Sequence, residues 1–400
     1  MREAHGEGMP RPAARAALTL LACVALLAAC LPETKFPRPG REETRAEARW
    51  QRELVARERV RLVQRILRVA QPLREKNIEL CGENIAYGAG FKSFSLKAVQ
   101  DPVWQRIWAK VLGPEERLQV LIVTESGPAW NAGLRPGDVI LSVGNASVPD
   151  DPRWLADVDD LVVERIERGE TLALGVERAG QAVEIEIVPA LQCHFPISLS
   201  PLAEINAFAS GENLITLQKG MLQFAREDEE LALVVGHEMA HHVIGHIPKR
   251  MFNYTLAELA DGLLGGAIGS LLPVTVFREQ VAGPLSVQAE YEADYVGLYM
   301  AARAGYDVSR AADLWRRMSV FYPESPEDIA RDSTHPAHAK RSVALDLAVE
   351  EIEAKRRKGE PLWPELKSHM YEDLVEAAKK KIETLKRRAE HARAEEPPAP

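Results

Sequence analysis

The sequence predicts an α+β chain of two domains, one mainly helical with a small β-hairpin and one rich in β-strands. Three observations carry that prediction. Residues 225–246 run without Pro from the acidic turn Glu227-Asp228-Glu229-Glu230 into Leu231-Ala232-Leu233-Val234-Val235, which reads as a helix buried nearly all round. Residues 120–188 contain short apolar runs separated by Gly and Pro turn signals, the pattern of a sheet. A length of 400 residues supports two separate cores.

At the amino end, Arg11 and Arg15 precede an apolar run, Ala16 to Ala29, that is too short to span a bilayer and ends at Leu27-Ala28-Ala29-Cys30. This resembles the lipobox of bacterial lipoproteins. Residues 1–29 are then a signal peptide, and Cys30 is the acylated first residue of the mature chain; the competing reading is a plain secretory signal or a short membrane anchor. Several acyl chains anchor stably where one would not. Leu31, with no Asp after the Cys, implies sorting to the outer membrane in a cell with two membranes, so the expected location is the cell envelope, lipid-anchored and facing the periplasm.

Residues 30–40 read as a Pro-containing linker and 41–79 as a stem helix, with helical spacing from about Glu42 to Val69 and Leu54, Val60, Val63 and Leu67 on one side. Between Glu33 and Arg74 twelve Lys or Arg face six Glu, so this segment either lies near anionic headgroups or forms a solvated, partly packed stem. The whole chain carries a net charge of −9, which excludes nucleic acid as a natural partner.

In residues 80–190, Val120 to Val123 reads as a strand, Pro128 to Ala132 as a short helix capped by Gly133, and Gly137-Asp138 as a turn into the strand Val139 to Val143. Leu155 to Glu167 has helical spacing, and Thr171–Glu177 with Ala182–Val188 forms a hairpin across Ala179-Gly180-Gln181. The run from Gly127 to Leu141 resembles the PDZ domains of bacterial envelope proteases, with Gly144-Asn145 in place of their usual Asn-Gly order. That resemblance implies a groove for polypeptide tails, with Gly88-Ala89-Gly90-Phe91 as the carboxylate loop and Phe91 to Leu96 as the pairing strand; the alternative is a domain that only spaces or shields. The stretch Asp101 to Glu116 is longer than such a domain needs. Cys81 and Cys193 flank the segment in an oxidising compartment and are expected to form a disulfide, the alternative being two separate buried thiols.

The chemistry concentrates at His237-Glu238-Met239-Ala240-His241. On a helix, residues four apart share a face, so both imidazoles can reach one metal while Glu238 flanks it as general base. The three-His continuation fails, because Gly245 falls one place late and His246 one place early. The next candidate ligand is a carboxylate in Gln288-Ala289-Glu290-Tyr291-Glu292-Ala293-Asp294. Glu290 as third ligand leaves a zinc position for water, and Asp294, one turn on, can accept the outer N–H of a ligand His. Glu292 reads as a solvated charge, and His242 and His246, offset around the helix from the ligand pair, read as packing or surface residues.

These blocks, with Glu229-Glu230-Leu231-Ala232 before them and Ser333-Thr334-His335-Pro336 and Arg341 after, resemble the HtpX/BepA-like metallopeptidases, zinc proteases related to the CAAX prenyl protease. The resemblance covers about residues 200–345 within a domain placed at 191–350. It implies a zincin fold of the gluzincin type, one Zn²⁺ per chain and polypeptide substrates. By the same resemblance, His335 either donates to the developing oxyanion or occupies the open zinc position at rest, and Arg341 orients acidic groups around the metal. The segment Glu204 to Ala209, with Asn206, Ala207 and Phe208, becomes the strand that pairs with substrate, and Leu214 to Gln218 completes its hairpin.

Ala257 to Pro284 mixes Gly with Leu and Ile, but its uncharged core is shorter than a spanning helix, so a cover over the site or a buried excursion is expected. Residues 351–400 read as a charged helical tail with a disordered end. Together these features predict an envelope zinc endopeptidase acting on misfolded or unassembled proteins, the alternative being a client-binding chaperone with little proteolysis.

Overall fold

The computed structural model describes residues 37–149, 151, 155–211, 213–247, 287–321, 339–366 and 369–395. The expected signal peptide, Cys30, the Gly-rich stretch 257–284 and His335 lie outside them. The chain divides into two units, residues 1–52 and 53–400. In the first, the described residues are the opening turns of helix α1 (Arg41–Lys76), nearly all exposed, where the Gly40 N–H donates to Glu43 at 2.7 Å.

From Glu53 onward α1 belongs to the second unit, where Leu62, Ile66, Val69, Ala70 and Leu73 are buried in its main core. The helix outruns the expected end near Val69 and continues through Pro72, because burial of Val69, Ala70 and Leu73 outweighs the one hydrogen bond Pro72 cannot donate. This half of the segment is a wall of the core.

The chain then forms β1 (Ile85–Gly88), β2 (Phe91–Phe94), α2 (Pro102–Leu112), β3 (Gln119–Val123), α3 (Pro128–Asn131), β4 (Val139–Val143), β5 (Ala146–Ser147), α4 (Leu155–Arg168), β6 (Leu172–Arg178), β7 (Gln181–Ile187) and β8 (Ala190–Cys193). An antiparallel sheet runs in the order β2-β3-β4-β6-β7, with β5 on β4. It closes over its own core, which includes Val120, Leu134, Ile140, Leu172, Leu174 and Ile187. The unexpectedly long stretch after β2 holds α2, capped by Asp101, whose carboxylate accepts from the Val103 N–H at 2.7 Å ahead of a first-turn Pro102. The Gly144-Asn145 order has a local reason: Gly144 alone of the pair takes positive φ, +57°, as a turn with Gly in the first central place requires.

Where the chain enters and leaves this domain, β1 pairs antiparallel with β8, and Cys81 is bonded to Cys193. Both cysteines are fully buried and belong to the main core, not to the sheet domain's own.

The remaining elements are β9 (Ile197–Ser200), β10 (Ala207–Ala209), β11 (Ile215–Gln218), α5 (Lys219–Phe224), α6 (Asp228–Val243), α7 (Val287–Arg303), α8 (Ala311–Phe321), α9 (Ala339–Lys358) and α10 (Met370–Glu395). The expected hairpin is a three-stranded sheet in the order β10-β11-β9, since β9 adds parallel to β11. Asn206 lies just before β10, its carbonyl accepting from the Gln218 N–H at 3.1 Å. The charged tail is only partly solvated: Ala378 and Leu385 of α10 are buried in the main core. Among the described residues no helix is long and apolar enough to cross a membrane.

Candidate metal centre

Helix α6 is buried on every residue from Leu231 to Val243, as its apolar circumference requires. Its acidic first turn is fastened from two sides. Asp228 accepts from Arg65 at 2.9 Å and from Arg68 at 2.8 Å, both on α1, and Glu230 accepts from Arg317 on α8 at 2.6 Å. Burial alone would raise both carboxyl pKa values; the guanidinium bonds outweigh it and hold them below the ordinary range.

Helix α7 crosses α6 at two glycines. A Cβ on Gly236 would stand 2.7 Å from the Gly297 carbonyl oxygen, and one on Gly297 2.6 Å from the His237 nitrogen, so the backbones meet in direct contact. Two turns before that crossing, α7 delivers Glu290 to the histidines of α6. His237 Nε2 lies 3.0 Å from His241 Nε2 and 3.3 Å from Glu290 Oε2, and His241 Nε2 lies 3.6 Å from Glu290 Oε1. All three side chains are buried, and their ligating atoms fall within 4.8 Å of one another.

Two imidazole nitrogens and one carboxylate form a donor set that fits zinc with a position left for water. The electrostatics fit a cation as well. Burial would lower the His237 pKa, yet hydrogen bonds to Asp294 and Glu290 and their charges hold it up at about 10. Glu238, one residue past His237, is buried beside the group.

Around this set the structure places two further arrangements. Asp294 Oδ1 lies 2.9 Å from His237 Nδ1, and the same carboxylate accepts two bonds from Arg341 of α9, at 2.6 and 2.8 Å. Arg341 also approaches Glu290 at 3.3 Å, and its buried guanidinium lies 4.2 Å from the ring centre of Trp315. Burial would lower the Arg341 pKa; the charge of Asp294 and the bonds to it raise it instead, so this cation persists inside the protein. Trp315 meets the His237 ring as well, at 5.7 Å and 60°. Nothing in the sequence near Trp315 marks this role, which depends on α8 packing across α6.

The second arrangement brings buried His246 to a ligand histidine despite the offset expected from helical spacing, while Glu292 is 42% exposed, as expected of a surface charge. His241 Nδ1 lies 2.9 Å from His246 Nδ1, and His246 Nε2 lies 3.2 Å from Glu292 Oε2. Helical spacing does not reach His246, because the helix stops before it. Helix α6 ends at Val243, and Gly245, at φ +75°, turns the chain back under its last turn so that His246 meets His241. The signal available was Gly245 itself, a helix terminator one residue before a histidine. His242 packs, stacked on Phe195 at 5.4 Å.

Residues 187–349 match the model of peptidase family M48, and residues 120–168 match a PDZ domain model. The chain is 31% identical over 206 residues to the mitochondrial metalloendopeptidase OMA1 of Danio rerio, covering 47% of this chain and 41% of that one. It is 28% identical over 144 residues to a putative beta-barrel assembly-enhancing protease of Vibrio cholerae, covering 33% and 30%. It is 26% identical over 145 residues to the metalloprotease LoiP of Escherichia coli, covering 35% and 56%. The match therefore spans about half or less of these relatives' lengths. Residues 187–349 are thus similar to M48-family peptidases, and residues 120–168 to PDZ domains.

Proposed function

We propose that this chain, built on an M48-family metallopeptidase domain, is a zinc-dependent endopeptidase of the bacterial envelope with a gluzincin-type centre. The observation that carries the reading is the convergence of His237, His241 and Glu290 within 4.8 Å beside a buried Glu238. His237, His241 and Glu290 would hold one zinc ion. When bound, that ion supplies a water acidified toward neutrality and polarises the scissile carbonyl.

Glu238 accepts the proton of the attacking water at its carboxylate and passes it to the leaving amine. Asp294 holds the His237 ring through Nδ1, and Arg341 holds Asp294. The edge strand β10, with Asn206 before it, offers backbone groups to an extended substrate at Ala207 and Phe208. His335 serves either as oxyanion donor or as a ligand that closes the centre at rest; activity gained in His335→Ala selects the second, and activity lost selects the first. Placement in the envelope, with a lipid anchor at Cys30, draws on the lipobox and on the two bacterial relatives. Misfolded or unassembled envelope proteins are the proposed substrates, and the PDZ domain is the proposed receptor for their tails.

The test is cleavage of an unfolded protein by purified chain whose zinc content has been measured. Wild type should cut, and Glu238→Gln should keep its zinc while losing about 10²–10⁴ in rate. Equal inertness of both zinc-loaded forms, with a client tail bound to the PDZ domain, would replace the protease with a client-binding chaperone.

A further inference from the structure

The geometry points to His246 as a positioning residue for the metal centre, a relay that fixes the proton of ligand His241 and is itself anchored by Glu292. This rests on the metal-binding reading of His237, His241 and Glu290.

Each ligand imidazole faces the shared point with Nε2, so in its neutral ligating form it must carry its proton on Nδ1. For His237 the group facing Nδ1 is a carboxylate, Asp294, at 2.9 Å. For His241 the group at hydrogen-bond distance is another imidazole nitrogen, His246 Nδ1, at 2.9 Å. A bond between two imidazole nitrogens has one donor. With His241 Nδ1–H donating, His246 Nδ1 accepts, and the His246 proton therefore resides on Nε2. That nitrogen faces Glu292 Oε2 at 3.2 Å, an acceptor, and the other Glu292 oxygen takes a bond from Gln288 at 3.2 Å.

With both rings neutral, the proton position on His246 follows from that on His241. The effect matches that of a carboxylate partner: the ring is held in one tautomer and its ligating nitrogen becomes more basic. The two arms are anchored differently. Asp294 is buried and clamped by Arg341, whereas Glu292 is 42% exposed, so the second arm runs from the metal ligand to the surface.

The experiment measures zinc affinity of the full chain by chelator competition, with folding followed by circular dichroism, for wild type, His246→Ala and His246→Gln. His246→Ala should bind zinc about 10–100-fold more weakly. His246→Gln should recover most of that loss, because its amide oxygen accepts from His241 while its N–H₂ donates toward Glu292. Wild-type affinity in His246→Ala overturns the proposal. An equal loss in both variants overturns it too, since His246 would then act by packing.

A second measurement needs no variant. Imidazole ¹⁵N spectra of the zinc-loaded wild type should show His241 protonated at Nδ1 and His246 at Nε2; the reverse tautomer at His246 refutes the relay. Failure of the underlying reading looks different. Wild type that binds no zinc, or His241→Ala that binds it unchanged, removes the metal site and the relay with it.

Discussion

Replacing Gly297 with Ala adds one methyl group at the place where α7 crosses α6. The new Cβ would lie 2.6 Å from the His237 nitrogen, 2.7 Å from the Gly236 carbonyl carbon and 2.8 Å from the His237 Cα. Carbon contacts settle near about 3.5–4.0 Å, so the helices must part by about 1 Å. None of the three atoms is a side-chain end that can swing aside. Overpacking of this kind costs about 1–3 kcal/mol, which lowers the melting temperature by a few degrees.

The larger effect falls on the site, because Glu290 rides on α7 and both histidines ride on α6. Coordination tolerates about 0.2 Å, and a 1 Å misplacement costs about 10²-fold. Gly297→Ala should therefore fold, melt slightly lower, and lose about two orders of magnitude in both zinc affinity and cleavage rate. Chelator competition, thermal unfolding and a peptide-cleavage assay measure the three quantities. Wild-type zinc affinity in a folded Gly297→Ala would refute the claim that this crossing sets the spacing of the ligands.

Other outcomes follow from the same structure. Glu290→Ala should leave a folded protein with little bound zinc, checked by metal analysis after dialysis. Arg341→Met leaves the buried Asp294 carboxylate without its cation and should destabilise the protein by about 3–5 kcal/mol in denaturant titrations. Reducing the Cys81–Cys193 bond, which spans a sequence separation of 112, should cost roughly 4.7 kcal/mol by the chain-entropy estimate for a 100-residue loop. Asp228 and Glu230 are held below their ordinary values of 3.8 and 4.5, so the stability they add is complete above those values and is lost as pH falls through the lower folded ones. Melting curves between pH 6 and pH 3 should show that loss, and Arg317→Ala should flatten it.

The sequence was most legible where one element carries its own meaning. The spacing of His237 and His241 only needs a helix, and the Pro-free apolar run around them ensures one. Glu290 and Asp294 were legible for the same reason, a single turn of one helix. The sheet domain was legible through its turns, since Gly137, Gly144 and the Ala179-Gly180 pair adopt the positive φ that such turns require.

What escaped depends on contacts between distant segments. Strand β9 is four residues, Ile197-Ser198-Leu199-Ser200, with no turn joining it to its parallel partner β11. The passage of α1 through Pro72 follows from burial, which propensity does not see. Trp315 reaches His237 and Arg341 only after α8 packs. The contact of His246 with His241 is hidden from helical spacing because Gly245, in the left-handed conformation, redirects the chain.

The most direct test of the proposed centre is zinc K-edge absorption on the purified chain. Two imidazole nitrogens at about 2.0–2.1 Å, one carboxylate oxygen at about 2.0–2.2 Å and a further light atom from water are expected, with one zinc per chain. A sulfur ligand, a single imidazole, or no stoichiometric metal would contradict the assignment of His237, His241 and Glu290.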